Sequence, residues 1–301
     1  MACPNLTVTD VQSLVPAARN IRPIGEGGQK QVFLAEIDGI QYALKFLKCN
    51  VQQVDPDILA EAEVSVVDNV TARAVREVET LRQCNTPYLV KPGRIGLTPA
   101  EINHDKLLYF TEEYIDGEPL NALLKRRQAM TVTELVRLGR QMTAAIAELW
   151  RFSKIHRDIK PGNIMCRRGS GDFVLLDMGL VFDLDDRSFS VGTVGTHAYY
   201  SPEQMDFRHR RSVLDFRSDT FSLGIVLYLM ATLRHPFATN AQDSGEVWHN
   251  IQNLAPPSPK SISADMPDEL NDIIMRLLAK RPALRYRKVQ MLLDALNAVP
   301  V

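Results

Sequence analysis

From Ile21 onward, apolar and polar positions alternate as they do in strands. Residues 21–24 lead into Gly25-Glu26-Gly27-Gly28-Gln29-Lys30-Gln31-Val32, residues 32–37 continue, and Asp38-Gly39 separates them from 40–47. Asp-Gly between alternating apolar runs predicts a tight hairpin. The period then changes. Over 69–83, Val70, Ala74, Glu77 and Leu81 fall on one helical stripe. A further strand is expected over 107–114, followed by the linker Ile115-Asp116-Gly117-Glu118-Pro119. Residues 120–152 predict one long helix with Leu135, Leu138, Met142, Ile146 and Leu149 in the core. Short strands follow over 164–166 and 173–176, and then a polar stretch with little periodicity over 180–200. The run 220–233 is apolar nearly all round, which predicts a buried helix, with Ser218 as its N-cap. Helical spacing returns over 270–279 and 289–296.

Composition changes this picture little. With 301 residues, 45% hydrophobic and 24% charged, the chain has ample material for a core. A net charge of −1 gives no reason to expect a nucleic-acid or membrane-surface partner, and Arg208-His209-Arg210-Arg211 reads as a solvated or substrate-side patch. Cys3, Cys49, Cys84 and Cys166 are scattered, without metal-type spacing, which suits a reducing cytoplasm. No signal peptide opens the chain. Its most apolar run, 221–233, is shorter than the roughly 20 residues that span a bilayer. The last helix is followed almost at once by the final residue, so no sensor, anchor or second domain is expected. The expected location is the cytoplasm.

The chemistry concentrates in His156-Arg157-Asp158-Ile159-Lys160-Pro161-Gly162-Asn163. Asp158 can accept a hydroxyl proton, Lys160 can neutralise charge on a phosphoryl group, and Asn163 offers an oxygen to magnesium. Downstream, Asp177 ends a strand in Asp177-Met178-Gly179 and supplies a second hard oxygen ligand. Upstream, period-two alternation puts Ala43 and Lys45 on one strand face. Alone, Lys45 reads as an exposed edge lysine. Behind a glycine-rich hairpin it suits a nucleotide pocket, with adenine near Ala43 and Val32 and the ammonium on the phosphates. Glu77, on an otherwise apolar stripe, needs a cation, and Lys45 is the natural one. Glu61 and Glu63 are weaker alternatives.

Taken together, these motifs resemble the catalytic domain of eukaryotic-type (Hanks-type) serine/threonine protein kinases, most like the compact bacterial members, over about residues 20–297. The resemblance implies an α+β, bilobal fold. A small antiparallel-sheet lobe with one key helix precedes a larger, mostly helical lobe, with ATP in the cleft. It implies an extension over 1–20, an N-lobe over 21–112, a hinge over 113–119 and a C-lobe over 120–301, with an insertion near 51–68 opened by Asp55-Pro56. It implies transfer of the γ-phosphate of Mg-ATP to Ser/Thr hydroxyls of proteins, with manganese as an alternative metal and a protein substrate of unidentified kind.

Residue by residue, Ile24, Gly25, Gly27, Gly28, Val32, Ala43, Lys45, Glu113, Ile115 and Met165 would surround the nucleotide. Asp158, Lys160, Asn163, Lys45 and Glu77 would act in catalysis, and Asn163 and Asp177 would hold the metal. Arg76-Glu77-Val78 with Asn85-Thr86-Pro87 resembles the key helix and its exit, and Lys160 points to the Ser/Thr branch. Ser201-Pro202-Glu203 would close an activation segment holding Ser188, Ser190 and Thr193 as autophosphorylation candidates. Arg157 would receive the phosphate, with Asp185 and Asp186 as built-in charge otherwise. Thr196 would bridge Asp158 and Lys160, Asp219 would hold the catalytic-loop backbone, and Arg285 would pair with Glu203.

Besides Ser201, which stands where Ala-Pro-Glu has alanine, three positions depart from the family pattern. Lys30 replaces the third glycine of the loop, Glu112 stands where an apolar or hydroxyl residue is usual, and Met178 replaces phenylalanine. Glu112 is expected to pair with an internal lysine or arginine. Two rival readings follow: a small-molecule phosphotransferase on the same fold, and a nucleotide-binding scaffold without transfer.

Overall fold

The computed structural model describes residues 5–27, 30–49, 69–178, 182–183, 197–205, 214–238 and 240–301. Gly28, Glu61, Glu63, the insertion near 51–68, Asp185, Asp186, Ser188, Ser190, Thr193, Thr196 and the basic run 208–211 lie outside the described residues. The protein is mixed α+β, and its contacts divide it into two units. The first takes residues up to Gln83 and Val90–Ile115. The second takes Cys84–Leu89 and most of the chain from Asp116 onward.

The first unit is built on an antiparallel sheet of β1 (Arg19–Gly27), β2 (Lys30–Ile37), β3 (Ile40–Cys49), β4 (Thr98–Ile102) and β5 (Asp105–Glu113), in the order β1-β2-β3-β5-β4. Asp38 (φ 50°) and Gly39 (φ 77°) both occupy the left-handed region, so the β2–β3 turn has the twist that a two-residue hairpin needs. Asn103 (φ 51°) and His104 (φ 67°) do the same between β4 and β5. That hairpin was not legible in the sequence. Thr98-Pro99 reads as a turn, and β4 alternates only between half-buried and exposed positions, as an edge strand does.

Register fixes what each face carries. Ala43 lies opposite Leu34 and Glu112, and Lys45 lies opposite Val32 and Phe110. Directly opposed residues share a face, so Val32, Ala43, Lys45, Phe110 and Glu112 look the same way. Helix α2 (Asn69–Gln83) covers that face, with Ala74 and Val78 packing on Leu47, Leu108 and Phe110. The other face carries Phe33, Ala35, Leu44 and Phe46 and is covered by Val11 and Val15. These belong to helix α1 (Val8–Leu14) and its C-cap; Thr7 and Asp10 cap it reciprocally at its N-terminus.

The second unit is mostly helical. The expected single helix over 120–152 is two, α3 (Leu120–Lys125) and α4 (Val132–Trp150). Arg127 adopts φ 54° between them, and Thr131 with Glu134 forms a capping box that restarts the helix. Helix α5 (Phe216–Thr232) is buried along nearly its whole length. Its N-cap is Asp215, which accepts from the Arg217 N–H, and Ser218 sits inside the first turn with its hydroxyl turned to Glu203. The earlier aspartate wins because its carboxylate reaches the orphan amide where the chain is still extended. Helices α6 (Ser244–Asn253), α7 (Asp268–Leu277) and α8 (Val289–Asn297) complete the unit; α6, with Ile251 as its one buried hydrophobic residue, does not show in the pattern. A Cβ on Gly224 of α5 would lie 2.8 Å from Leu277 Cβ of α7, so glycine sets that close helix approach.

Short strands frame the polar loops of this unit. β6 (Gly117–Pro119), β8 (Ile164–Arg167) and β9 (Phe173–Leu175) form one sheet; β7 (Lys154–Ile155) pairs with β10 (Phe182–Asp183). Gly117–Pro119 was expected as linker. It pairs instead with Met165–Arg167, because Gly117 without a side chain can lie against the Cys166 carbonyl.

Candidate active site

In the first unit, four charged side chains gather on the α2-covered side of the sheet. Glu77, fully buried on α2, accepts from Lys45 Nζ at 2.9 Å. It also accepts from Lys30 Nζ, at 3.1 Å through Oε1 and 2.7 Å through Oε2. Lys45 Nζ reaches Glu112 Oε2 at 2.7 Å. The result is an alternating chain, Lys30–Glu77–Lys45–Glu112, in which two lysines from β2 and β3 meet carboxylates from α2 and β5.

Glu112 is the strained member of this chain. It is 2% exposed, and its Oε1 has no hydrogen-bond partner among the described residues. Burial pushes its carboxyl up to about 7 against the pull of Lys45, with Glu77 adding to the rise. The sequence flagged Lys30 and Glu112 as departures but did not join them. Their opposite charge was visible in the sequence, but that they flank the same lysine follows only from the β2–β3–β5 register.

The other expected nucleotide residues of this unit lie on or beside the same sheet. Val32 and Ala43 are half-buried, Ile24 and Gly25 are exposed on β1, Gly27 ends that strand, and Ile115 is buried just beyond β5. The Glu113 amide donates to the Lys91 carbonyl at 3.0 Å, and its side chain accepts from the Lys91 amide at 2.9 Å.

In the second unit, the loop from His156 to Asn163 is held from below by Asp219, in the first turn of α5. One carboxylate accepts two consecutive amides, from His156 at 2.7 Å and Arg157 at 2.8 Å. These bonds offset the strain of Arg157, which sits at φ 66° without being glycine. Burial lifts the Asp219 carboxyl above its ordinary range while the two amide bonds and the Arg157 charge oppose that rise. His156 is wholly buried; Nδ1 accepts from the Asp158 amide at 3.2 Å, which leaves Nε2 to donate to the Leu176 carbonyl at 3.1 Å. The loop thus tethers itself to the end of β9, two residues before Met178. Met178 is fully buried, as a plug would be.

The reactive groups stand on that frame. Asp158 Oδ2 accepts from Lys160 Nζ at 2.8 Å and from Asn163 Nδ2 at 2.9 Å. Asn163 Nδ2 also donates to the Asp158 carbonyl at 2.9 Å, which fixes the amide so that its oxygen faces away. Asp177 follows β9 at φ 63°. Met165 is half-buried on β8, between Pro119 and Val174 in the sheet.

An amide oxygen and a carboxylate are the hard donors magnesium prefers, so Asn163 and Asp177 fit that ion. Among the described residues no three His, Cys, Asp or Glu side chains gather as a cation cage. A magnesium ion here would complete its shell with phosphate oxygens, its usual habit.

Behind this loop lies a second buried ion pair. Arg285, wholly buried, donates to Glu203 Oε1 at 2.6 Å and Oε2 at 3.0 Å. It also donates to the Ala279, Arg217 and Lys280 carbonyls, while Ser218 donates to Glu203 at 2.8 Å. Next to Glu203, Gln204 donates to the Arg157 carbonyl at 3.2 Å, which ties this pair to the loop. No helix among the described residues is long and apolar enough to cross a membrane.

Comparison with known proteins agrees with these elements. A family model described as "Protein kinase domain" matches residues 18–295. The chain is 30% identical to the serine/threonine-protein kinase pkn3 of Myxococcus xanthus, over 92% of this chain and 48% of that protein. It is 30% identical to the serine/threonine-protein kinase PknA of Mycobacterium tuberculosis, over 92% of this chain and 60% of that one. A probable serine/threonine-protein kinase of Clostridium perfringens is 28% identical over 92% of this chain and 37% of its own length. The chain therefore spans less than two thirds of each of these relatives, and it belongs to the protein kinase domain family.

Proposed function

We propose that this chain is a serine/threonine kinase that transfers the γ-phosphoryl group of Mg-ATP to Ser/Thr hydroxyls of proteins. Family membership supplies the prior, and the observation that carries the reading is the Asp158 carboxylate. It is fixed by Lys160 and Asn163 on a loop whose backbone Asp219 clamps. Such a carboxylate can orient an acceptor hydroxyl and take its proton, while Lys160 balances charge on the phosphoryl group in flight. Asn163 and Asp177 would hold magnesium, which supplies charge neutralisation at the phosphates when bound. In the first unit, Lys45, steadied by Glu77, would hold the phosphates. Ile24, Gly25, Gly27, Val32, Ala43 and the backbone of Glu113 and Ile115 would bind the nucleotide, and Met165 is proposed as a further nucleotide contact. We read 21–112 and 120–301 as the two lobes and 113–119 as their hinge. Positioning and electrostatics supply the rate in such chemistry.

Autophosphorylation within 180–200 is part of this proposal. Ser188, Ser190 and Thr193 are the acceptors, and Arg157 is the receptor for the resulting phosphate. A cytoplasmic location, where ATP is at hand, is part of the same proposal.

The test is a peptide library randomised around a fixed Ser, Thr or Tyr, incubated with Mg-ATP and the wild type, Asp158→Asn or Asp177→Asn. Phosphate on Ser and Thr peptides with wild type alone supports the proposal. Transfer only to small-molecule alcohols, or equal transfer by Asp158→Asn, would refute it.

A further inference from the structure

The two family departures in the first unit meet at one lysine. Lys45 stands between Glu77 at 2.9 Å and Glu112 at 2.7 Å, while Lys30 caps the far side of Glu77 at 2.7 Å. The expected Lys45–Glu77 pair is neutral by itself. Glu112 adds a negative charge on the sheet side and Lys30 adds a positive one on the loop side, so the four groups are again neutral. Both additions are needed for that balance. Glu112 with Glu77 alone would draw one ammonium between two carboxylates and leave a net negative charge where phosphates are to be held. Lys30 without Glu112 would leave a net positive one. The Lys30 side chain is 18% exposed and the other three are 9% exposed or less, so solvent screens this arithmetic only weakly. Among the described residues, the charged groups bearing on Glu112 are Lys45, Glu77 and Lys30, which arrive from β3, α2 and β2.

We propose that Lys30 and Glu112 are a charge-compensating pair of positioning residues. Together they fix the Lys45 ammonium between two carboxylates without lowering the net charge that the nucleotide phosphates meet. The proposal rests on the reading of Lys45 as the phosphate-holding lysine. It makes a specific statement about coupling: loss of Lys30 is harmful because Glu112 is present, and removing the Glu112 charge makes Lys30 dispensable.

The consequence is a second-site rescue. Lys30→Gly restores the usual loop residue but strands the Glu112 charge. Affinity for the magnesium complex of a non-hydrolysable ATP analogue should fall roughly tenfold at pH 8.5, the size of one lost charge-assisted interaction. The deficit should shrink at pH 6, where Glu112 takes up a proton and neutralises itself. Glu112→Gln alone, isosteric and uncharged, should bind no worse than wild type. Lys30→Gly with Glu112→Gln should return to within roughly threefold of wild type at both pH values.

Titration calorimetry at pH 6 and pH 8.5, with melting curves to verify folding, would measure all four proteins beside Lys45→Met. Rescue of Lys30→Gly by Glu112→Gln supports the pair. An equal deficit in the single and double variants at both pH values would overturn it and leave Lys30 a loop anchor only. Unaltered binding by Lys45→Met would overturn the underlying reading of Lys45, an outcome separate from loss of rescue. Should Lys30→Gly melt early, Lys30→Gln in its place removes the charge while keeping a long side chain.

Discussion

Two buried ion networks, one in each unit, use the same chemistry to opposite ends. Around Arg285 and Glu203, the arginine meets both carboxylate oxygens and three backbone carbonyls, and Ser218 adds a further bond to Glu203. Around Lys45, two carboxylates share one ammonium, and Glu112 Oε1 is left without a hydrogen-bond partner among the described residues. Full satisfaction makes a charge pair rigid, whereas partial satisfaction leaves its protonation open to pH. One network serves as a joint, and on the proposed reading the other holds phosphate.

The comparison predicts a descending series of stability effects. Arg285→Ala strands Glu203 inside the second unit and should cost about 3–5 kcal/mol by urea unfolding. Arg285→Lys should recover little of this, since an ammonium cannot span both oxygens and the carbonyls. A loss below 1 kcal/mol would end the claim that this network is the joint.

Glu112→Gln should reveal the opposite character. The Glu112 carboxyl stands at about 7 in the folded protein against an ordinary value of 4.5, so the folded state holds the proton that the unfolded state releases. Wild-type stability contributed by this group is therefore present below pH 4.5 and lost as pH rises toward 7. Between pH 5 and pH 8 the stability difference should move toward the glutamine variant by on the order of 3 kcal/mol. A pH-independent difference would contradict the assignment.

Smaller effects follow at the edges of each network. Ser218→Ala removes one buried bond to Glu203 and should cost about 1 kcal/mol by the same unfolding measurement. Lys30→Gly should change stability by less than about 1 kcal/mol, because Glu77 keeps its bond from Lys45. Its effect belongs to nucleotide binding.

The sequence showed most of the fold where pattern and turn chemistry agreed. Asp38-Gly39 announced its hairpin, and the Val70-Ala74-Glu77-Leu81 stripe marked α2 to its ends. It missed β4, whose proline and solvent-facing positions blur the alternation, and its Asn103-His104 turn, which lacks glycine. It ran α3 and α4 together because helical spacing persists across residues where only Arg127 and the Thr131 box mark the break. At the candidate site, the loop residues from His156 to Asn163 were legible from identity and spacing. Which lysine meets Glu112 was not, because that pairing is decided by cross-strand register and by α2 lying over one face. Asp219 could be read either as a helix-dipole partner or as a clamp, and its position under two consecutive loop amides makes it a clamp.

The central claim is phosphoryl transfer to Ser/Thr hydroxyls with Asp158 as the proton acceptor. The most direct measurement uses ATP carrying oxygen-18 in its γ-phosphoryl group, incubated with magnesium and a Ser/Thr peptide library, followed by mass spectrometry. Wild type and Asp158→Asn would be compared after phosphatase treatment. The account predicts labelled phosphate on Ser and Thr peptides with wild type, and a rate lower by roughly 10²- to 10⁴-fold with Asp158→Asn at unchanged nucleotide affinity. Labelled peptide at equal rates with both proteins, or none with a wild type that binds Mg-ATP, would contradict it.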